Sequence, residues 1–163
     1  MVIISTTYSK LSQYNYKKSI ITIGSFDGLH LGHQEIFNKM RELSIENRGN
    51  KNNNKILITF NPHPFTVLNT KKEVRDYILT PISDKLELLE KYFHKFIDVV
   101  VVISFTKSFS KISAKNFFNQ IIESFNPNNI IMGNDHGFGY KRQGDINFLK
   151  ENYKNKYNLK IHE

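Results

Sequence analysis

His30 and His33 stand three positions apart in Gly24-Ser25-Phe26-Asp27-Gly28-Leu29-His30-Leu31-Gly32-His33, and a helical pattern begins directly after them. Residues at that spacing share one face of a helix's first turn, so the two imidazoles are presented together. Unpaired backbone N–H groups and the positive end of the helix dipole point the same way, which suits an anion. The rings add donors for phosphate oxygens. Gly32, lacking a side chain, lets a flat ring or a phosphate approach the backbone. Taken alone, His-x-x-His also fits a turn with two surface histidines. The string is not a Gly-Lys-Ser/Thr phosphate loop, and it lacks the Gly-x-Gly-x-x-Gly spacing of a dinucleotide fingerprint.

Two further stretches could do chemistry. In Thr59-Phe60-Asn61-Pro62-His63-Pro64, two prolines bracket a histidine and enforce a stiff, extended turn after a short apolar run. On physical grounds alone His63 reads first as an exposed residue of a rigid loop. Residues 133–145 carry four glycines, Gly133, Gly137, Gly139 and Gly144, which permit unusual backbone angles and close approach to a ligand. There Asp135 could accept from a hydroxyl or hold a metal through water, and Lys141 and Arg142 could pair with phosphate. For any one of these residues, a glycine loop with solvated charges is the competing reading.

The elements that must position these residues alternate in type. Residues 19–24, 55–60, 98–104, 129–132 and 157–162 read as strands, with 98–104 (Asp-Val-Val-Val-Val-Ile-Ser) the clearest buried one. Helical spacing marks residues 31–45, 83–93 with Ser83 at the N-cap, the segment capped by Ser113 with its stripe of Phe117, Phe118, Ile121 and Ile122, and residues 145–153. This order predicts an α/β fold: a mostly parallel sheet with helices on both faces. In such a sheet ligands gather beyond the carboxyl ends of the strands, where the candidate stretches lie. Thr106, just after the 98–104 strand, sits at such an end. The asparagine-rich residues 47–55 read as a solvated loop.

The 163 residues suffice for one domain, and a 39% apolar fraction argues against disorder. With no cysteine there is no disulfide framework, thiolate metal site or cysteine nucleophile, which fits a reducing compartment. No run approaches membrane-spanning length, and residues 1–14 lack the basic start and apolar stretch of a signal peptide, so the expectation is a cytoplasmic protein with no membrane partner. The net charge of +8 comes from 19 lysines against 4 arginines, scattered along the chain. Nucleic-acid sites favour the arginine fork, so no nucleic-acid partner is expected, while a basic surface still attracts nucleotide phosphates.

The three stretches together resemble the FMN adenylyltransferase (FAD synthetase) domain of the bacterial riboflavin kinase/FAD synthetase family. The first is similar to the His-x-Gly-His signature of the nucleotidylyltransferase superfamily in its Gly-x-Phe-Asp-Gly-x-His-x-Gly-His form. The second is similar to Thr-Phe-x-Pro-His-Pro, and the third to Gly-x-Asp/Asn-x-x-Phe-Gly-x-x-x-x-Gly-Asp/Asn. Residues 79–85 and 105–113 also match family stretches, Phe109 reading as core packing. The resemblance implies a Rossmann-like nucleotidylyltransferase fold. It further implies transfer of AMP from ATP to FMN, giving FAD and pyrophosphate, with Mg²⁺ bridging phosphate oxygens. His30 and His33 would be catalytic, holding the ATP phosphates as pyrophosphate leaves. Gly24, Ser25, Phe26, Asp27, Gly32 and Asp135 would bind the nucleotide, with Gly32 near adenine and Asp135 also the metal candidate. Asn61, Pro62, His63, Pro64, Thr106, Phe138 and Arg142 would line the flavin side.

The chain departs from the family pattern in places. Gly137 stands where arginine is common, removing a planar cation. The family's Ser-Ser/Thr-x-Ile-Arg segment has no counterpart up to Glu163, and the riboflavin kinase domain that usually accompanies this domain is expected to be absent. The expectation is therefore an FMN adenylyltransferase-like domain over residues 1–163, either truncated at its C-terminus or a reduced natural form with weakened activity. A non-catalytic flavin- or nucleotide-binding module, and a cytidylyl or pantetheine-phosphate transferase of the same fold, are the alternatives.

Overall fold

The computed structural model of the chain describes residues 1–46, 53–69 and 77–163. Six strands form one sheet: β1 (Val2–Thr6), β2 (Ser19–Ile23), β3 (Asn54–Asn61), β4 (Val99–Ser104), β5 (Pro127–Ile131) and β6 (Lys160–His162). Their order is β1-β4-β3-β2-β5-β6, and every pairing is parallel. Helices α1 (Leu31–Glu46), α2 (Pro64–Leu68), α3 (Ile82–Phe93), α4 (Ala114–Phe125) and α5 (Ile146–Asn152) lie in the connections. The α/β reading holds, and among the described residues no antiparallel strand joins the sheet.

Side chains alternate across a strand, and this divides the core in two. Ile21 and Ile23, Ile56 and Ile58, and Val99, Val101 and Ile103 face the layer formed by Phe117, Phe118 and Ile121 of α4 and Leu149 of α5. Ile20, Leu57, Val100 and Val102 face Phe37, Met40 and Leu43 of α1 and Leu89 of α3. A strand covered on both faces must be apolar throughout, which is why β4 is a run of valines. Each such side chain contributes roughly 1.5–3 kcal/mol by leaving water, so the two-sided sheet, rather than the turns, dominates the folding energy.

The layers also fix the site. The connections β2-α1-β3 and β3-α3-β4 step in one direction along the sheet, and the chain then crosses to β5 and winds outward through α5. Loops after β2 and β5, neighbouring strands, therefore leave for opposite faces and open a crevice between them.

Several local readings change. β1 was not foreseen: it is an edge strand with Val2 and Ile3 largely exposed, so it lacks the continuous burial that marks β4. Ser83 does not cap α3. The helix begins at Ile82 with Pro81 at the N-cap, whose carbonyl accepts from the Lys85 amide at 2.9 Å, and the Ser83 hydroxyl instead donates to the Asp84 carboxylate. The stretch after β3 is not purely extended, because a cis Asn61–Pro62 bond precedes α2, where Pro64 opens the helix. β6 is shorter than residues 157–162, and much of the asparagine-rich loop, 47–52, lies outside the described residues.

Candidate active site

His30 and His33 meet face to face at the start of α1. Their ring centroids are 3.6 Å apart with planes inclined by 23°. The backbone that delivers them is unusual: Phe26 (φ 48°) and Leu29 (φ 43°) are left-handed and flank Gly28 (φ 72°). That geometry costs about 1–3 kcal/mol at each non-glycine position and persists only where surroundings enforce it. Phe26 and Leu29 are both buried, and Phe26 packs edge-on against His33 at 5.1 Å and tilted against Phe37 at 5.8 Å.

The His33 pKa is pushed down to about 4, first by burial, then by His30 and Lys85, against the opposing pull of Asp27 and Asp135. At neutral pH His33 is therefore an uncharged ring with one N–H. Its Nδ1 is buried with no partner. A proton on Nε2 would make that atom the donor and leave Nδ1 as the bare acceptor, the cheaper of the two orphans.

The histidines line a cleft of about 410 Å³ at the β2–β5 crevice, together with Gly24, Ser25, Phe26, Asp27 and Gly32 on one wall and Gly133, Asp135, His136 and Arg142 on the other. All the residues expected on the nucleotide side thus border one space. Asp27 is there in a particular way: both carboxylate oxygens are engaged by the amides of Leu79 and Thr80 and the hydroxyl of Thr80. Burial alone would raise its pKa, but those hydrogen bonds outweigh burial and hold the carboxyl below its usual range.

Beside it lies a second hollow of about 530 Å³, walled by Phe60, Phe105, Phe109, Ile112, Phe117 and Phe138, with Pro64 and Leu68 at one side and residues 139–142 at the other. The two spaces share Ser25, His136 and Arg142. Of the residues expected on the flavin side, Pro64, Phe138 and Arg142 border this hollow, whereas Asn61, Pro62, His63 and Thr106 do not. His63 is the N-cap of α2, its Nδ1 accepting from the Phe65 amide, and the Thr106 hydroxyl accepts from the Phe109 amide. Phe109 packs against Phe60, Phe105 and Phe117 and also borders the hollow, so it serves the core and the cavity wall together.

The glycine loop is anchored rather than loose. Phe138 and Gly144 exchange backbone hydrogen bonds, and the Tyr140 amide donates to Ile112 at 2.7 Å. Gly137 does not leave a gap. A Cβ there would meet Arg142 Cβ and Nε at 3.0 Å, so the Arg142 side chain lies over the place where an arginine at 137 would start. The Arg142 guanidinium donates to the Asp135 carbonyl, which keeps a planar cation at the junction of the two spaces.

Two residues escaped the sequence reading. His136 borders both spaces, half-buried, with Nε2 lacking a partner and a pKa lowered first by burial and then by Arg142. Lys85 is 2% exposed, and its ammonium donates to the Ser25 carbonyl at 2.6 Å. Its signal was present: a lysine between Ile82 and Leu89 on the apolar stripe of a helix is a charge at a core position.

For a metal, the described residues contain no cluster of three or more histidines or carboxylates. Asp135 borders the cleft opposite the histidines and forms no ion pair with a described residue. One carboxylate plus substrate phosphates is a donor set that suits Mg²⁺.

The chain is similar to known proteins over most of its length. The chain is 39% identical over 157 residues to a bifunctional riboflavin kinase/FMN adenylyltransferase of Buchnera aphidicola subsp. Schizaphis graminum, covering 92% of this chain and 46% of the relative. It is 31% identical over 137 residues to an FAD synthetase of Listeria monocytogenes, covering 83% and 51%. The chain thus spans about half the length of the curated relatives it matches. A crystal structure of a macrolide-efflux protein from Streptococcus pneumoniae superposes with a TM-score of 0.79 at 20% identity, over 99% of this chain and 49% of that one, a likeness of fold alone. Among the described residues no helix is long and apolar enough to cross a membrane. The family model for FAD synthetase matches residues 12–163, and the chain belongs to the FAD synthetase family.

Proposed function

We propose that this chain transfers the adenylyl group of ATP to FMN, releasing pyrophosphate and forming FAD. The observation that carries the reading is the junction of the two spaces: a polar cleft with paired imidazoles opens through Ser25, His136 and Arg142 into an aromatic hollow. A triphosphate suits the first and an isoalloxazine ring the second, so an FMN phosphate and an ATP α-phosphorus would meet at the shared residues.

In the reaction an FMN phosphate oxygen attacks the α-phosphorus. The new P–O bond forms as the bond to the bridging α–β oxygen breaks, and that electron pair leaves with pyrophosphate. Such a step asks the protein mainly for alignment and for stabilisation of charge on the leaving group. His30 and His33 are assigned to the leaving pyrophosphate, Arg142 to the FMN phosphate, and Gly24, Ser25, Phe26 and Gly32 to the nucleotide. Mg²⁺ carried on the nucleotide would neutralise phosphate charge, with Asp135 as its protein ligand. Asp27 shapes the loop from within. Pro64 and Phe138 are kept for the flavin, while Asn61, Pro62, His63 and Thr106 are assigned to holding neighbouring backbone.

The test is incubation of the purified chain with FMN, ATP and Mg²⁺, with chromatographic detection of FAD. FAD appearing in proportion to enzyme supports the proposal. Flavin binding without FAD or pyrophosphate would contradict it.

A further inference from the structure

Lys85 is the only charged residue fully withdrawn from solvent among the described residues, and no described carboxylate lies within ion-pair distance of it. A buried ammonium is expensive, and here its hydrogen bond goes to a neutral acceptor, the Ser25 carbonyl. Lys85 borders neither the cleft nor the hollow. Its hydrogen bond therefore goes to a backbone group rather than to a ligand, while Asp27 and His33 feel its charge from beyond contact.

The same carbonyl accepts from the Thr59 hydroxyl at 3.2 Å. Both donors approach from the β3 and α3 side of the β2 loop. The Ser25–Phe26 bond is trans, since Asn61–Pro62 is the one cis bond among the described residues. In a trans peptide the C=O and the following N–H point in opposite directions. Because Lys85 and Thr59 draw the carbonyl towards β3, the Phe26 N–H faces away from β3. The cleft between β2 and β5, which Phe26 borders, lies on that side. No described group accepts from the Phe26 amide. The left-handed backbone at Phe26, with its ring clamped against His33 and Phe37, fixes this peptide further.

We propose that Lys85 is a positioning residue: by gripping the Ser25 carbonyl from inside, it presents the Phe26 amide to a phosphate oxygen in the histidine cleft, without itself touching the ligand. The assignment deepens the adenylyl-transfer reading and rests on it for the identity of that phosphate. A donor preorganised in this way stabilises charge that develops on the leaving group, with no reorganisation during the reaction.

The test uses the full chain, ¹⁵N-labelled, titrated with inorganic pyrophosphate and followed at the Phe26 amide, in wild type, Lys85→Met, Thr59→Val and the double variant. The expected result is a Phe26 amide shift in wild type. In Lys85→Met that shift is lost and pyrophosphate binds about tenfold more weakly. Thr59→Val shows a smaller loss, and the double variant is no worse than Lys85→Met, because both donors act through one carbonyl. In FAD formation, Lys85→Met lowers kcat about a hundredfold while KM for FMN stays within about twofold. An unchanged Phe26 shift and affinity in Lys85→Met, or losses that simply add in the double variant, would overturn the proposal. Should circular dichroism show Lys85→Met unfolded, Thr59→Val decides: a reduced shift with weaker binding supports the proposal, and wild-type behaviour overturns it. A wild type that makes no FAD yet shows the Lys85-dependent shift would sink the adenylyl-transfer reading alone. FAD formation undiminished in folded Lys85→Met would sink the Lys85 assignment alone.

Discussion

One carboxylate oxygen of Asp27 holds Thr80 twice, accepting from its amide at 2.8 Å and from its hydroxyl at 2.9 Å. The other oxygen accepts from the Leu79 amide at 3.0 Å, and the Thr80 hydroxyl accepts from the Gly28 amide at 2.9 Å. The loop that delivers the two histidines is thus laced to a segment that enters α3. Asp27→Ala would orphan three donors. Because they are partly exposed, water recovers some of the loss, and we expect about 1–2 kcal/mol of destabilisation in urea unfolding. An unchanged midpoint would show the lacing to be energetically idle.

Gly139 meets the first turn of α4. Its φ is +73°, and a Cβ would lie 2.5 Å from the backbone Cα and N of Ala114. Backbone atoms cannot swing aside as a side-chain tip can, so Gly139→Ala combines strain with overlap. We expect a loss of about 2 kcal/mol or more in denaturation, together with weaker flavin binding. Wild-type stability in that variant would contradict the packing described for the loop.

The pattern of residues made the sheet legible where burial is two-sided and hid it where burial is not. The valines of β4 announce themselves because both faces are covered, while β1, with Val2 and Ile3 exposed at the edge, carries the same residue types without that context. For the site, motifs at strand ends pointed to one crevice because a parallel sheet gathers its carboxyl ends there. What short-range reading could not supply was partnership over distance. Asp27 turns to Thr80, 53 positions away, and Lys85 reaches Ser25 across 60 positions, links set by how α3 packs beside β2 rather than by local spacing. The Gly137 departure likewise looked like a lost cation until the fold brought Arg142 over it.

His33, His63, His136 and His162 all have pKa values lowered, with burial the leading cause for each. For His33 the value falls to about 4. The unfolded chain takes up protons on these rings as pH drops below about 6.5, while the folded chain resists. Unfolding therefore binds protons in this window, and stability falls as pH is lowered from about 6.5 towards 4. Asp27, held below its usual range, adds its own loss only at lower pH, in the carboxylate range. Calorimetric midpoints across this range should decline with falling pH, and His33→Asn should flatten the decline. A flat or rising midpoint would contradict the burial of these rings.

Arg142 borders both spaces and is held by the Asp135 carbonyl. If it receives the flavin phosphate, Arg142→Ala should weaken FMN binding by about tenfold, the usual loss of a charge-assisted hydrogen bond, and leave riboflavin binding unchanged. Flavin fluorescence quenching measures both. Equal weakening of FMN and riboflavin would point instead to collapse of the loop.

The histidine pair carries the central claim, and steady-state formation of FAD from FMN and ATP by His30→Ala, set beside flavin affinity in the same variant, tests it most directly. We expect turnover to fall by about a hundredfold or more while FMN affinity stays within about twofold, as for the loss of a group that stabilises charge chiefly in the transition state. Turnover equal to wild type would contradict the account.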